Sequence, residues 1–388
     1  MDNRDSFRAV LPAISIVAPC YNEEEVLPEF CRRACAAAQA AVGGDYEIVL
    51  VDDGCSDGTW SLIEDFAERD PRIVGVRLMR NHGHQIAATA GLELSRGRRV
   101  MLIDADLQDP PELLADMMAV MDGGADVVFG QRTHREAETL FKRSTASLFY
   151  RLLSRLAAVP IPRDTGDFRL MSRRVLDGLS SMPERQRFIR GMVSWIGGRQ
   201  VALPYERQPR LAGVSKYPLR KMIRFALDAI TSFSATPLRL ASYLGLGAAS
   251  LGGILLVFTL WRWLLGGTVV GWSSLMTVVV LFGAVQLIVL GIMGEYIGRL
   301  FLEAKARPLF LVGSVLAEGR SHELPVEFST LGPAVRRDVW DAIRMAQSAP
   351  DHDPASIAWS VRAQERRARN EVIPQDAAGP STRASDLA

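Results

Sequence analysis

The stretch 100–111 holds the residues best suited to chemistry, because four apolar residues run directly into Asp104 and Asp106, with Gln108 close behind. This pattern predicts a buried strand whose carboxyl end opens into a polar site, where ligands of open α/β sheets usually bind. Two partly buried carboxylates need a cation, and oxygen ligands suit Mg²⁺ or Mn²⁺. We therefore predict a metal site at Asp104, Asp106 and Gln108. If the carboxylates only capped the following helix, one of them would suffice.

Three more polar clusters follow predicted strands, and with the first they occupy residues 19–23, 52–57, 80–84 and 104–109. The carboxyl ends of parallel strands meet at one edge of a sheet, so these clusters are expected to line a single crevice. No G-x-G-x-x-G or G-x-x-x-x-G-K-[ST] pattern follows the first strand, which argues against a dinucleotide-binding fold. A nucleotide held by carboxylates and a divalent cation fits the clusters better.

A second candidate lies at Asp167 and Arg169, two residues apart in a predicted strand. The period of a strand places both side chains on one face. One interpretation is an ordinary buried ion pair between them. The neighbouring Gly166 favours a binding site instead, because glycine allows a ligand to approach the backbone closely.

Strands alternating with helices predict an α/β fold with a mostly parallel sheet covered on both faces. We predict strands at 14–18, 46–51, 73–79, 99–103 and 126–129, an edge strand at 200–203, and helices at 23–41, 84–95, 111–121, 136–158 and 188–196.

Two long apolar segments, about 243–265 and 272–298, are each long enough to span a bilayer and are joined by a short glycine-containing loop. Basic residues flank their outer ends, which predicts a transmembrane hairpin with both ends in the cytoplasm. The predicted domains are a catalytic domain at 1–210, a basic juxtamembrane segment at 211–240, the hairpin at 241–300, and a cytoplasmic extension at 301–388 that is largely disordered beyond about 348.

The composition of the chain limits the kinds of partner that it is expected to bind. A formal net charge of +1 gives no indication of a nucleic-acid binder. The four cysteines lack metal-ligand spacing and are expected to be reduced thiols. Small residues spaced by four in the apolar segments allow helices to pack closely, within the hairpin or in a homo-oligomer.

Five motifs in combination resemble those of family 2 glycosyltransferases that transfer sugars to polyprenyl phosphates, such as bactoprenol glucosyltransferases and dolichol-phosphate mannosyltransferase-like enzymes. The motifs are Pro19-Cys-Tyr21-Asn-Glu23, Val51-Asp52-Asp53-Gly54-Cys-Ser56-Asp57, Arg80-Asn-His-Gly-His84-Gln85, Asp104-Ala-Asp106-Leu-Gln108-Asp109-Pro-Pro-Glu112 and Gly166-Asp167-Phe-Arg169-Leu-Met171. The resemblance covers about residues 12–312. It implies a Rossmann-like GT-A fold, a UDP-glucose-like or GDP-mannose-like donor, Mg²⁺ or Mn²⁺, and inverting transfer to polyprenyl (undecaprenyl) phosphate at the bacterial inner membrane.

The resemblance also implies roles for individual residues. Nucleotide binding falls to Pro19, Tyr21, Glu23, Asp52, Asp53 and Asp104, with Asp52 supporting the turn. Asp106 and Gln108 join Asp104 at the metal and the diphosphate. Asp167 is the candidate catalytic residue near the reacting sugar, and Arg132, Arg169 and Lys216 are the candidates for the acceptor phosphate.

Two other functions are alternatives to sugar transfer onto a polyprenyl phosphate. A processive polysaccharide synthase of the same fold is expected to carry more membrane helices and a Gln-x-x-Arg-Trp motif, and the sequence shows neither. A non-catalytic scaffold that senses nucleotide sugars has no need of Asp104, Asp106 and Asp167 together.

Overall fold

The computed structural model describes residues 11–133, 165–207, 236–265 and 271–324, together with 328–329, 331–332, 336–337 and 339–340. The predicted helix at 136–158 and Lys216 lie outside the described residues, as does most of the predicted juxtamembrane segment.

The described residues form one nine-stranded sheet in the order β7-β5-β6-β4-β1-β2-β3-β8-β9. Its strands are β1 (Ile14–Cys20), β2 (Tyr46–Asp52), β3 (Ile73–Leu78), β4 (Arg99–Leu102), β5 (Val127–Arg132), β6 (Thr165–Ser172), β7 (Gln200–Tyr205), β8 (Val312–Ala317) and β9 (Arg320–Glu323). Only β6 and β8 run against the other seven described strands. The predicted α/β class and mostly parallel sheet are confirmed, and β7 is the predicted edge strand.

Helices cover both faces of this sheet. They are α1 (Leu27–Val42), α2 (Thr59–Arg69), α3 (His84–Leu94), α4 (Leu114–Asp122), α5 (Arg173–Ser181) and α6 (Ile189–Ile196). In β1, Ile14 and Ile16 belong to the apolar core on one face, while Val17 belongs to the core on the other. Both faces of the central strands are buried, which explains why their sequences read as continuous apolar runs.

Helix α1 begins at Leu27, four residues later than predicted. The preceding residues instead form a turn bound to the loop after β2. The backbone N–H of Glu23 donates to the hydroxyl of Thr59 over 2.9 Å, and that of Glu24 donates to Asp57 over 3.3 Å. These contacts join the loops after β1 and β2, at the carboxyl edge of the sheet.

The sheet extends beyond residue 210, the predicted end of the catalytic domain. Strand β8 pairs antiparallel with β3, and β9 pairs with β8. Phe310, Phe328 and Trp340 are buried in the same core as the central strands. The predicted boundary is wrong here because β8 is short and its partner lies far away in sequence, so local periodicity gives no sign of the pairing.

Two long helices, α7 (Thr236–Leu264) and α8 (Trp272–Ala304), correspond to the predicted membrane hairpin and extend past its outer ends. Both are long and apolar enough to cross a membrane, and their most apolar windows are not buried in the protein. A Cβ atom on Gly252 of α7 would lie 3.0 Å from the ring of Phe282 on α8. This small residue therefore serves packing within the hairpin.

Gly54 brings the loops after β2 and β3 into contact. Its φ is +69°, and a Cβ there would lie 2.5 Å from the backbone nitrogen of Asn81. Gly43 has a similar φ of +64° with no atom within 4 Å of such a Cβ. Because the ψ of Gly43 is −135°, outside the left-handed helical region, we expect Gly43→Ala to lower the free energy of unfolding by ~2 kcal/mol from backbone strain alone.

Gly54→Ala adds a steric clash to the same strain, so it should lower the free energy of unfolding by at least ~3 kcal/mol. Chemical denaturation of both variants measures the difference. Equal losses would show that the close approach at Gly54 contributes nothing.

Candidate active site

The polar clusters converge on a cleft of about 370 Å³ at the carboxyl edge of the sheet. Among the residues singled out in the sequence, those lining it are Pro19, Tyr21, Glu23, Asp53, Asp104 and Asp106, with Asn81, Gly83 and His84 beside them. Tyr21 is half exposed at 51%. The structure therefore brings most of the predicted nucleotide and metal residues into one site.

The two aspartates that end β2 have different surroundings. Asp53 accepts hydrogen bonds from the backbone N–H groups of His82 (2.7 Å) and Gly83 (2.9 Å), which hold the loop after β3 against the cleft. Asp52 is fully buried and accepts the backbone N–H of Cys55 over 2.7 Å. Asp52 therefore shapes the turn, and a direct nucleotide contact does not fit its position.

Asp104 and Asp106 lie in the loop that leaves β4. Within the described part of the chain, Oδ1 of Asp104 has no hydrogen bond of good geometry, although Nε2 of His84 lies 3.3 Å away. Burial and the neighbouring carboxylates raise the pKa of Asp104 to about 6, against the influence of His84. Asp106 accepts the backbone N–H of Gln108 over 3.1 Å, in a loop where Leu107 has a φ of +57°.

The remaining polar side chains of this loop have partners outside the predicted metal site. Oε1 of Gln108 accepts a hydrogen bond from Arg207 over 2.5 Å, so the structure does not support Gln108 as a metal ligand. Asp109 is fully buried and accepts a hydrogen bond from the hydroxyl of Tyr205. Arg132 donates to that hydroxyl over 3.2 Å and lies 3.6 Å from Asp109.

Asp167 is buried on β6 beneath the cleft, and three side chains from outside β6 contact its carboxylate. Gln85 donates to Oδ2 over 2.7 Å, Arg190 donates to Oδ1 over 3.0 Å, and Nε2 of His84 lies 3.4 Å from Oδ2. Gln85 also accepts the backbone N–H of Ile189 over 3.0 Å. The first turns of α3 and α6 are thereby joined around one carboxylate.

These contacts determine the charges of Asp167 and His84. Burial opposes ionisation of Asp167, but Arg190, His84 and Arg169 hold its pKa well below the usual range. Burial also opposes protonation of His84, yet its bond to Asp167 and the charge of Asp104 raise the pKa of His84 to about 9. At neutral pH Asp167 is an anion beside two cations.

The position of Arg169 contradicts two interpretations of the sequence, an ion pair with Asp167 and a contact with the acceptor phosphate. Its guanidinium donates to the backbone carbonyls of Asp167 and Gly166, each over 3.2 Å, and does not pair with the Asp167 carboxylate. Arg169 is only 4% exposed, and burial lowers its pKa to about 10. A role in binding the acceptor phosphate does not fit this buried position. The prediction failed because the i, i+2 spacing shows which face of the strand a side chain lies on, but not whether that face is buried.

Arg190 is not among the site residues predicted from the sequence, and neither His84 nor Gln85 has a predicted role. His84 and Gln85 belong to a polar motif that was recognised, so their position after a strand was an available signal. Arg190 lies 23 residues beyond Asp167 on a different element, and no local pattern links the two.

A divalent cation fits Asp104 and Asp106. No group of three or more His, Cys, Asp or Glu side chains suited to a metal ion occurs in the described ranges. Two carboxylates do suit Mg²⁺ or Mn²⁺ bound together with substrate phosphates, since such ions are usually held by one or two carboxylates plus phosphate oxygens. Oδ1 of Asp104, a buried oxygen without a hydrogen bond of good geometry, fits such an ion.

Comparisons with known proteins identify the family of the chain. The model of glycosyl transferase family 2 matches residues 15–179, and the GtrB C-terminal hairpin model matches residues 236–300. The chain is 45% identical over 299 residues to the uncharacterized glycosyltransferase YkcC of Bacillus subtilis, covering 77% of this chain and 92% of the relative. It is 40% identical to a bactoprenol glucosyl transferase of Shigella phage SfV, covering 77% and 97%.

Among solved structures, a mannosyltransferase from Pyrobaculum calidifontis in complex with GDP-Man and Mn²⁺ aligns with a TM-score of 0.38 and 18% identity, covering 74% of this chain and 87% of that one. The family matches and the identity to full-length relatives lead to one conclusion: this chain belongs to glycosyl transferase family 2, with a GT-A-like catalytic fold and a GtrB-type C-terminal hairpin.

Proposed function

We propose that this glycosyltransferase moves a sugar, with inversion, from a nucleotide-diphosphate donor to polyprenyl phosphate at the cytoplasmic face of a bacterial plasma membrane. The observation that carries the proposal is the cleft in which Asp104 and Asp106 lie beside the buried Asp167. The names of the bactoprenol glucosyl transferase relatives support the lipid acceptor.

In the proposed complex the nucleoside lies among Pro19, Tyr21, Glu23 and Asp53, which line one side of the cleft. Asp104 and Asp106 hold the divalent cation together with the donor diphosphate. When bound, Mg²⁺ or Mn²⁺ would neutralise the charge that develops on the departing diphosphate. Asp53 keeps the loop after β3 in place by its two backbone contacts, which preorganise this side of the cleft.

Asp167 is proposed to orient the reacting groups. A lipid phosphate is already an anion at neutral pH and needs little deprotonation, so positioning and charge compensation matter more than proton transfer. Arg190 and His84 offset the negative charge of Asp167, which lessens its repulsion of an incoming phosphate. Arg132 and Lys216 remain the proposed contacts of the acceptor phosphate, and Arg169 is withdrawn from this role.

The hairpin is proposed to anchor the site at the membrane surface. Helices α7 and α8 expose apolar side chains along the segments that could span a bilayer. Basic residues outside the hairpin favour a cytoplasmic location for the catalytic domain and the C-terminus. The headgroup of a lipid acceptor would then meet the cleft at the membrane surface.

Transfer of labelled sugar tests this function directly. Detergent-purified full-length protein is incubated with Mg²⁺ or Mn²⁺, undecaprenyl phosphate and radiolabelled UDP-glucose or GDP-mannose, and label is counted in the lipid phase. One donor should give a labelled lipid that depends on both the metal and the phosphate headgroup. If label enters no lipid with any hexose donor, or enters a growing polysaccharide, the proposed acceptor is wrong.

Asp106→Asn removes a charge from the proposed metal site with little change in volume. We expect turnover to fall by at least about 100-fold, or ~2.7 kcal/mol. Affinity for Mn²⁺ in the presence of nucleotide diphosphate, measured by electron paramagnetic resonance, should fall as well. Asp116→Asn, on the exposed side of α4, is the control and should leave both quantities unchanged. Unaltered Mn²⁺ affinity in Asp106→Asn would remove Asp106 from the metal site.

Membrane topology can be tested by labelling introduced cysteines with a membrane-impermeant maleimide. We predict that Gly267→Cys, which lies between α7 and α8 in the sequence, reacts in spheroplasts whose outer membrane has been removed. Ser321→Cys, exposed on β9, should react only after lysis. The reverse pattern would place the catalytic domain outside the cytoplasm.

A further inference from the structure

A buried charge cluster lies on the opposite end of α3 from the candidate active site. Glu93 is 1% exposed in the last turn of this helix. Nε of Arg336 donates to Oε2 of Glu93 over 2.9 Å, and an amino group of Arg187 lies 3.9 Å from Oε1. Both arginines are themselves buried. A buried carboxylate is costly unless it is compensated, so the position of α3 depends on these partners.

Arg336 is held firmly within the C-terminal segment that follows β9. Its guanidinium donates to the backbone carbonyls of Ser329 (3.1 Å) and Leu331 (2.5 Å) and lies 5.1 Å from the centre of the Phe310 ring. A side chain fixed by this many contacts loses little further freedom when it meets Glu93. Arg336 is therefore a rigid cation that the C-terminal segment presents to α3.

The two elements joined at Glu93 are the same two that hold Asp167. Helix α3 carries Glu93 in its last turn and Gln85 in its first turn. Arg187 lies two residues before the start of α6, which contributes Arg190 to the Asp167 carboxylate and the backbone N–H of Ile189 to Gln85. A displacement of α3 relative to α6 at Glu93 would thus move Gln85 relative to Asp167.

We propose that Arg336 is a positioning residue for sugar transfer: by compensating Glu93, the C-terminal segment fixes α3 so that Gln85 and His84 stay in contact with Asp167. The inference rests on the proposed role of Asp167. It assigns a function to a part of the chain that lies beyond both family models, which end at residues 179 and 300.

The test compares Arg336→Met with Arg337→Met in the full-length protein. Arg337 is the adjacent residue and forms an ion pair with the half-exposed Asp177, so it controls for loss of a cation from the same segment. We expect Arg336→Met to lower kcat about tenfold while KM for the donor and for the lipid stays within twofold. Arg337→Met should keep the native kcat.

A double variant separates positioning from general loss of stability. Glu93→Gln/Arg336→Met removes both charges and leaves no uncompensated carboxylate, while Arg187 still donates to the backbone carbonyl of Leu179 over 3.1 Å. The double variant should therefore recover kcat to within about threefold of the native enzyme. A kcat in Arg336→Met within twofold of native, with only a lower Tm, would overturn the proposal. A double variant as slow as Arg336→Met would overturn it too.

If Arg336→Met does not fold, Arg336→Lys takes its place, because it keeps the charge but loses the planar fork that meets Glu93 and two carbonyls. We then expect at least a threefold loss of kcat with KM unchanged, and a native kcat overturns the proposal. A fully active Asp167→Asn would instead refute the proposed role of Asp167. The two failures are thereby distinguished.

Discussion

The candidate active site depends on the burial of an ionised carboxylate, that of Asp167, inside the catalytic domain. Burial of a lone charge is prohibitive, so compensating groups must be brought to it from elsewhere in the chain. They come from α3 and α6, two helices that contribute to the apolar core on the same face of the sheet. The fold brings the first turns of these two helices to the two carboxylate oxygens of Asp167, next to an open cleft.

The cleft itself follows from strand direction. Strands β1, β2 and β4 are parallel, so the loops that leave them share one edge, and their carboxylates share one solvent opening. Backbone contacts such as those of Asp53 with the loop after β3 keep the opening shaped. Asp104 and Asp106 line this opening, while the carboxylate of Asp167 is buried.

The parts of this account that depend on local pattern could be predicted from the sequence. Apolar runs that end in carboxylates located β4 and its aspartates, and the length of the apolar segments located the hairpin. Long-range contacts could not be predicted, because Arg190 with Asp167 and Arg336 with Glu93 join residues with no shared periodicity. Gln108 and Arg169 show a further limit on prediction. Residue type indicates that a side chain could bind a ligand, but not that neighbouring groups already bind that side chain.

The central claim is that Arg190 acts on transfer through the carboxylate of Asp167. A double-mutant cycle of kcat for Asp167→Asn and Arg190→Met measures this coupling directly. The account predicts that each single variant lowers kcat strongly and that Arg190→Met in the Asp167→Asn background changes kcat by less than twofold. Fully additive losses in the double variant would contradict the account, because they would show that Arg190 and Asp167 contribute independently.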